Sequence, residues 1–135
     1  MRYLLDTYTW VWAILDSPRL SRGIRKLLSN LVDRERVGLA AISLKEAAWH
    51  AARGRIALSE GAGSWPEWLR QASRSPSLEV LPITVEVAIE SERFSDAFPS
   101  DPADRLIGAT AVVHDLTLLT ADRNLLESRE VRTIR

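Results

Sequence analysis

The feature that most restricts how this chain can fold is the repeated pairing of a short apolar run with a longer segment of helical periodicity. Tyr3 to Leu5 is such a run. In Thr7 to Leu15, directly after it, Trp10 and Ile14, and likewise Val11 and Leu15, recur four apart. A second helix is expected over Leu20 to Val32, with Ile24, Leu27, Leu28 and Leu31 on one face, and a second strand over Val37 to Ile42. Ser43 to Arg53 is read as a helix ended by Gly54, Trp65 to Ala72 as a helix, Glu79 to Ile83 as a strand and Thr84 to Phe94 as a helix. Beyond the break at Pro99 to Pro102 come a helix over Ala103 to Val113, a strand over Thr117 to Thr120, a helical turn over Arg123 to Leu126 and a candidate last strand over Val131 to Ile134.

Strands that are apolar throughout, rather than alternating, are those buried on both faces, which is the condition of a parallel sheet covered by helices on each side. The expected fold is therefore a three-layer α/β/α sandwich around a central parallel sheet of four to five strands. A chain of 135 residues has the length of one domain, and residues 1–135 are expected to form one. All strands of such a sheet end at the same rim, and open α/β sheets bind their ligands there.

Four acids fall on that rim. Asp6 ends the first strand, Glu46 lies in the first turn of the helix after the second, Asp104 in the first turn of the helix after Pro102, and Asp122 just past the fourth strand. Helix capping accounts for each one alone: Asp6 and Asp122 suit N-caps, Ser43 to Glu46 has the form of a capping box, and Asp101-Pro102 is an N-cap followed by a proline at the first helical position. Capping does not account for the set, because caps are as readily Ser, Thr or Asn, whereas here every turn brings an ionisable acid. Four carboxylates gathered together repel one another unless a cation intervenes. Oxygen-only donors, with no cysteine and no histidine pair, point to Mg²⁺ or Mn²⁺ rather than zinc. A metal held this way supports hydrolytic phosphoryl chemistry without a protein nucleophile.

Competing signatures are missing: there is no glycine-rich phosphate loop with lysine, no Gly-x-Ser-x-Gly and no His-Glu-x-x-His. Asp6-Thr7-Tyr8 also lacks the second aspartate expected of an aspartyl-phosphate phosphatase. The formal net charge is zero, so a nucleic acid would have to be held locally rather than by a broad basic surface. The absence of cysteine fits a cytoplasmic protein. The opening apolar stretch is broken by Asp6 and Thr7 and is too short to span a bilayer, so no membrane association is expected.

Leu4-Leu5-Asp6-Thr7, Ile42-Ser43-Leu44-Lys45-Glu46, Asp101-Pro102-Ala103-Asp104-Arg105-Leu106-Ile107 and Leu119-Thr120-Ala121-Asp122-Arg123 resemble, in order and spacing, the four motifs of PIN domains. They look most like the VapC-type toxins of bacterial toxin-antitoxin pairs, and the likeness runs nearly end to end. The resemblance implies that Asp6, Glu46, Asp104 and Asp122 are the catalytic, metal-holding acids. It implies Mg²⁺- or Mn²⁺-dependent cleavage of RNA by metal-activated water, with a small antitoxin as inhibitor; separately, a homodimer is the expected assembly. The chain departs from many relatives in carrying Ser100 and Ala103, where a histidine and a bulky aromatic are usual.

Around these acids, Thr7 is a candidate to bond a metal water or a ligating carboxylate, and Arg105 and Arg123 are candidates to contact the scissile phosphate. Asp101 is read as an N-cap outside the metal shell. Trp65 and Trp68 are expected to form an exposed pair that meets antitoxin or a second subunit, and His50 and Trp49, on the Glu46 face of their helix, are assigned no role. The alternative to a nuclease is a non-catalytic module of the same fold that binds protein or RNA without turnover.

Overall fold

The structure, a computed structural model, describes all 135 residues. Its strands are β1 (Tyr3–Leu5), β2 (Val37–Ala40), β3 (Leu78–Leu81), β4 (Thr117–Leu119) and β5 (Thr133–Ile134). Between them run helices α1 (Thr7–Ile14), α2 (Arg22–Leu31), α3 (Ala41–Ala52), α4 (Trp65–Ser73), α5 (Val85–Ser91), α6 (Pro102–Val113) and α7 (Arg123–Glu127). All strand pairs are parallel, and the sheet order is β3-β2-β1-β4-β5. The order reverses between β1 and β4: the chain builds outward from β1 through β2 to β3, then crosses back to lay β4 on its other side. At such a switch point the flanking connections diverge and leave a crevice at the carboxyl ends of the two strands.

The central strands are apolar throughout because successive residues serve opposite cores. Leu5, Leu39 and Leu119 face one core with Trp10, Val11, Ile24 and Ala47, whereas Leu4, Ala40 and Leu118 face the other with Phe98, Ile107 and Leu125. The first core is covered by α1 to α4, and the second by α6 and α7. No helix is long and apolar enough to cross a membrane.

Several boundaries differ from the sequence reading for physical reasons. The second strand stops at Ala40 and α3 begins at Ala41, so Glu46 lies in its second turn, not its first. The expected Ser43 capping box does not form, and the Ala40 N-cap makes no side-chain bond; Ser43 is instead fully buried beside Thr7. The tryptophan pair is also corrected. Trp68 is only 7% exposed and its ring packs 6.5 Å from that of buried Trp10, while Trp65 packs against the same core.

A close approach on the second core explains Gly108 on α6. Phe94 and Phe98 stack with ring centroids 4.0 Å apart, and a Cβ at residue 108 would come within 2.8 Å of Phe98 Cζ and 3.1 Å of Phe94 Cζ. Alanine gains up to ~1 kcal/mol over glycine in a helix interior, but overpacking a buried site costs about 1–3 kcal/mol, so packing prevails. Gly108→Ala is therefore expected to be destabilising on balance, by up to about 2 kcal/mol once the helix gain is set against the overpacking, read as a lower urea midpoint at unchanged slope.

Candidate active site

At the switch point lies an open cleft of about 390 Å³, lined by Asp6, Glu46, Asp104 and Asp122 together with Asp101 and Thr7. The acids arrive from four places in the sequence because four elements begin or end at this rim.

Asp6 follows β1 and is the N-cap of α1. Its Oδ1 accepts from the Thr9 backbone N–H at 2.8 Å, and its own N–H donates to the Leu119 carbonyl at 3.1 Å. Its Oδ2 accepts from the Thr120 hydroxyl, and Thr120 Oγ1 in turn accepts the Asp122 N–H at 3.0 Å. Thr120 is completely buried, and sequence reasoning gives it no role beyond ending a strand. Its position two residues before a rim acid is the available signal.

Glu46 is oriented across the cleft by α1. Thr7, 5% exposed, donates from Oγ1 to Glu46 Oε1 at 2.6 Å and has the Ser43 hydroxyl 2.9 Å away. Asp104 sits in the first turn of α6. Asp101 caps that helix, with Oδ1 accepting from the backbone N–H groups of Ala103 at 2.8 Å and Asp104 at 3.3 Å. Asp122 is exposed and caps α7, accepting from the Asn124 N–H at 2.8 Å. Every acid of the cleft except Glu46 and Asp104 is thus a helix cap as well as a wall of the cleft.

The two arginines are not brought to the cleft. Arg105 turns away and donates to backbone carbonyls, among them Pro99 at 3.0 Å and Ser95 at 3.1 Å, so it clamps the segment that leads into α6. Arg123 is exposed at the start of α7 and does not line the cleft. The cleft also holds the aromatic side chains of Tyr8, Trp12 and His50, to which the sequence reading gives no role.

The electrostatic state of the cleft follows from its composition. Burial raises the Asp104 carboxyl to about 7, reinforced by the charges of Asp101, Asp122, Glu46 and Asp6. Asp6 is likewise raised, chiefly by burial and also by Asp122, against the lowering effect of the bonds from Thr120 and Thr9. No three of the acidic or histidine side chains stand close enough to hold an ion together as they are placed. Their chemistry nevertheless suits a hard divalent cation: all the donors are oxygens, and the charge on them is uncompensated by any arginine or lysine lining the cleft.

The sequence matches the PIN domain over residues 3–130. It is 35% identical over 131 residues to Ribonuclease VapC22 of Mycobacterium tuberculosis, which covers 97% of this chain and 95% of that protein. The fold is similar to that in the crystal structure of DNA-bound VapBC from Salmonella typhimurium, with a TM-score of 0.72 at 20% identity over 99% of this chain and 97% of that one. It is similar also to FitAcB from Neisseria gonorrhoeae, with a TM-score of 0.71 at 23% identity over 98% and 96% of the two chains.

Raised carboxyls have a consequence for stability. Between the ordinary aspartate range and about pH 7 the folded chain holds protons at Asp104 that the unfolded chain has lost, so stability falls as pH rises through that window. The metal-free protein is expected to melt lower at about pH 8 than at about pH 5.5, and Asp104→Asn is expected to flatten that dependence. Added Mg²⁺ is expected to raise the melting temperature more at the higher pH, where the carboxylate is ionised. Thermal scans across pH, with EDTA or Mg²⁺, check all three.

Proposed function

The chain belongs to the PIN domain family, and from that premise we propose that it is a metal-dependent endoribonuclease of the VapC toxin type, with Asp6, Glu46, Asp104 and Asp122 as its catalytic acids. The observation that carries the reading is the convergence of these four carboxylates on one cleft at the switch point, with a proton affinity at Asp104 that burial and mutual repulsion have raised.

The four acids would hold Mg²⁺ or Mn²⁺, which when bound supplies an activated water and charge stabilisation at the leaving oxygen of a phosphodiester. The chain's own residues prepare that arrangement. Asp6 is held on both oxygens, by Thr9 N–H and the Thr120 hydroxyl, so its carboxylate cannot swing away from the rim. Glu46 is held by Thr7, the bond through which α1 aligns α3. Asp104, on the first turn of α6, holds its proton above the ordinary aspartate range and would have to be deprotonated to serve as a ligand.

The proposed partners are an RNA substrate, a small antitoxin and a second copy of the chain, and the proposed location is the cytoplasm. Support for the antitoxin comes from a second cleft, about 320 Å³, walled by Trp10, Ile14, Leu28, Leu31 and Val32. Val32 and Ile14 are 59% and 38% exposed, an apolar seat suited to a helical peptide. Support for self-association comes from exposed Val85 and Ile89 on α5 and Val112 and Val113 on α6.

Purified protein freed of antitoxin is expected to cleave RNA with added Mg²⁺ or Mn²⁺ and not in EDTA; turnover in EDTA would sink the reading. Asp6→Asn and Asp104→Asn are each expected to lower the cleavage rate by at least about 100-fold. Circular dichroism should show the fold intact, since asparagine caps α1 as well as aspartate does and Asp104 caps no helix. Thr7→Val, which removes the hydroxyl that holds Glu46 while keeping the side chain's shape, is expected to cost about 10- to 100-fold in activity or metal affinity.

A further inference from the structure

The acid chemistry leaves one wall of the cleft unused. Tyr8 and Trp12 stand one turn apart on α1 with ring centroids 5.8 Å apart, and the Tyr8 ring lies 4.9 Å from that of His50 on α3. The Tyr8 hydroxyl is 3.2 Å from His50 Nδ1, so the two side chains steady each other. All three line the same cleft as the acids, and Tyr8 is 38% exposed. Beyond His50 the array continues: Trp49 meets it edge-on at 5.1 Å, and the Trp49 indole carries the guanidinium groups of Arg53 at 4.1 Å and Arg55 at 4.5 Å. Trp12 packs against the first core as Trp10 and Trp68 do, but its ring, with those of Tyr8 and His50, also opens on the charged cavity.

The physics of the cleft says what such a wall is for. Without a bound cation, a polyanion approaching five carboxylates is repelled, the chain as a whole carries no net positive charge to offset this, and neither rim arginine reaches the cleft. Binding must then draw on a part of the nucleotide that is neutral, and a base stacked on an aromatic face is such a part. Guanidinium groups placed over an indole keep N–H donors for phosphate oxygens, although Arg53 donates from Nη1 to the Trp49 carbonyl at 3.2 Å.

Resting on the nuclease reading above, we propose that Tyr8, Trp12 and His50 form a nucleotide subsite that stacks an unpaired base beside the scissile phosphate, and that Arg53 and Arg55, held on Trp49, take a phosphate further along the same strand. The cleaved position is thereby an unpaired nucleotide, in a single strand or a loop, and these side chains choose it.

The test is a titration of a short fluorescein-labelled oligoadenylate into the metal-free protein in EDTA, read by anisotropy, with an abasic ribose-phosphate chain of the same length alongside. Tyr8→Ala and Trp12→Ala are each expected to weaken oligoadenylate binding about tenfold and to leave abasic binding unchanged, while Tyr8→Phe binds as wild type. Arg53→Ala with Arg55→Ala is expected to weaken both ligands alike and to reduce the salt slope by about 0.7 for each phosphate no longer neutralised. Loss of abasic binding to the same extent, or no loss of oligoadenylate binding in the Tyr8 and Trp12 variants, overturns the subsite. Should either alanine variant melt well below wild type, Tyr8→Leu and Trp12→Leu, which keep apolar bulk without a ring, take their place. A protein that binds in this manner yet hydrolyses no RNA with Mg²⁺ keeps the subsite and removes the nuclease reading; one that cleaves RNA indifferently to these substitutions does the reverse.

Discussion

The whole arrangement depends on how Asp6 is bonded. One carboxylate caps α1 through the Thr9 N–H, receives the hydroxyl of Thr120 from the end of β4, and sits on a backbone whose N–H is bonded to the Leu119 carbonyl. These contacts tie the first strand to the fourth across the point where the sheet order reverses. A buried carboxylate is tolerated only when its lone pairs are occupied, and here the groups that occupy them are those that set the width and angle of the crevice. Removing those donors would leave the charge buried and unmatched, so the geometry of the rim and the solubility of this one side chain in the protein interior are the same problem.

The remaining acids divide the labour between structure and charge. Asp101 and Asp122 cap helices through backbone N–H groups, and their negative charge falls on Asp104, which caps no helix and whose carboxyl is raised to about 7, first by burial and then by these neighbours. Arg105, the next residue along the chain, does not neutralise that charge. It is committed to the carbonyls of Pro99 and Ser95, where it fixes the approach to α6. The chain therefore stabilises the backbone around the cleft while leaving the cleft itself electrostatically unsatisfied.

Much of this is legible in the order of residues alone. Apolar runs without alternation imply strands buried on two faces, and Leu4 beside Leu5, or Leu118 beside Leu119, do supply one core each. The four acids of the rim can be read because each follows a strand or falls near the start of a helix, where local sequence and tertiary position coincide. What escapes is whatever depends on contacts between distant segments. Ser43 has the look of a cap, but its hydroxyl is buried against Thr7, 36 residues away. Trp68 has the look of an exposed residue in a short polar helix, yet it covers Trp10. The wall of Tyr8, Trp12 and His50 draws on two helices, and nothing in either stretch alone says that they meet.

The position of β4 beside β1 sets when the cleft can exist. Synthesis delivers Asp6 well before its hydrogen-bond donor at position 120, with a separation of 114 residues. A chain growing from its N-terminus lacks one wall of the crevice, and Asp6 lacks its Thr120 donor, until the fourth strand emerges and docks. The cleft is thus a property of the nearly complete chain, since the strand that closes it is the last but one to be made.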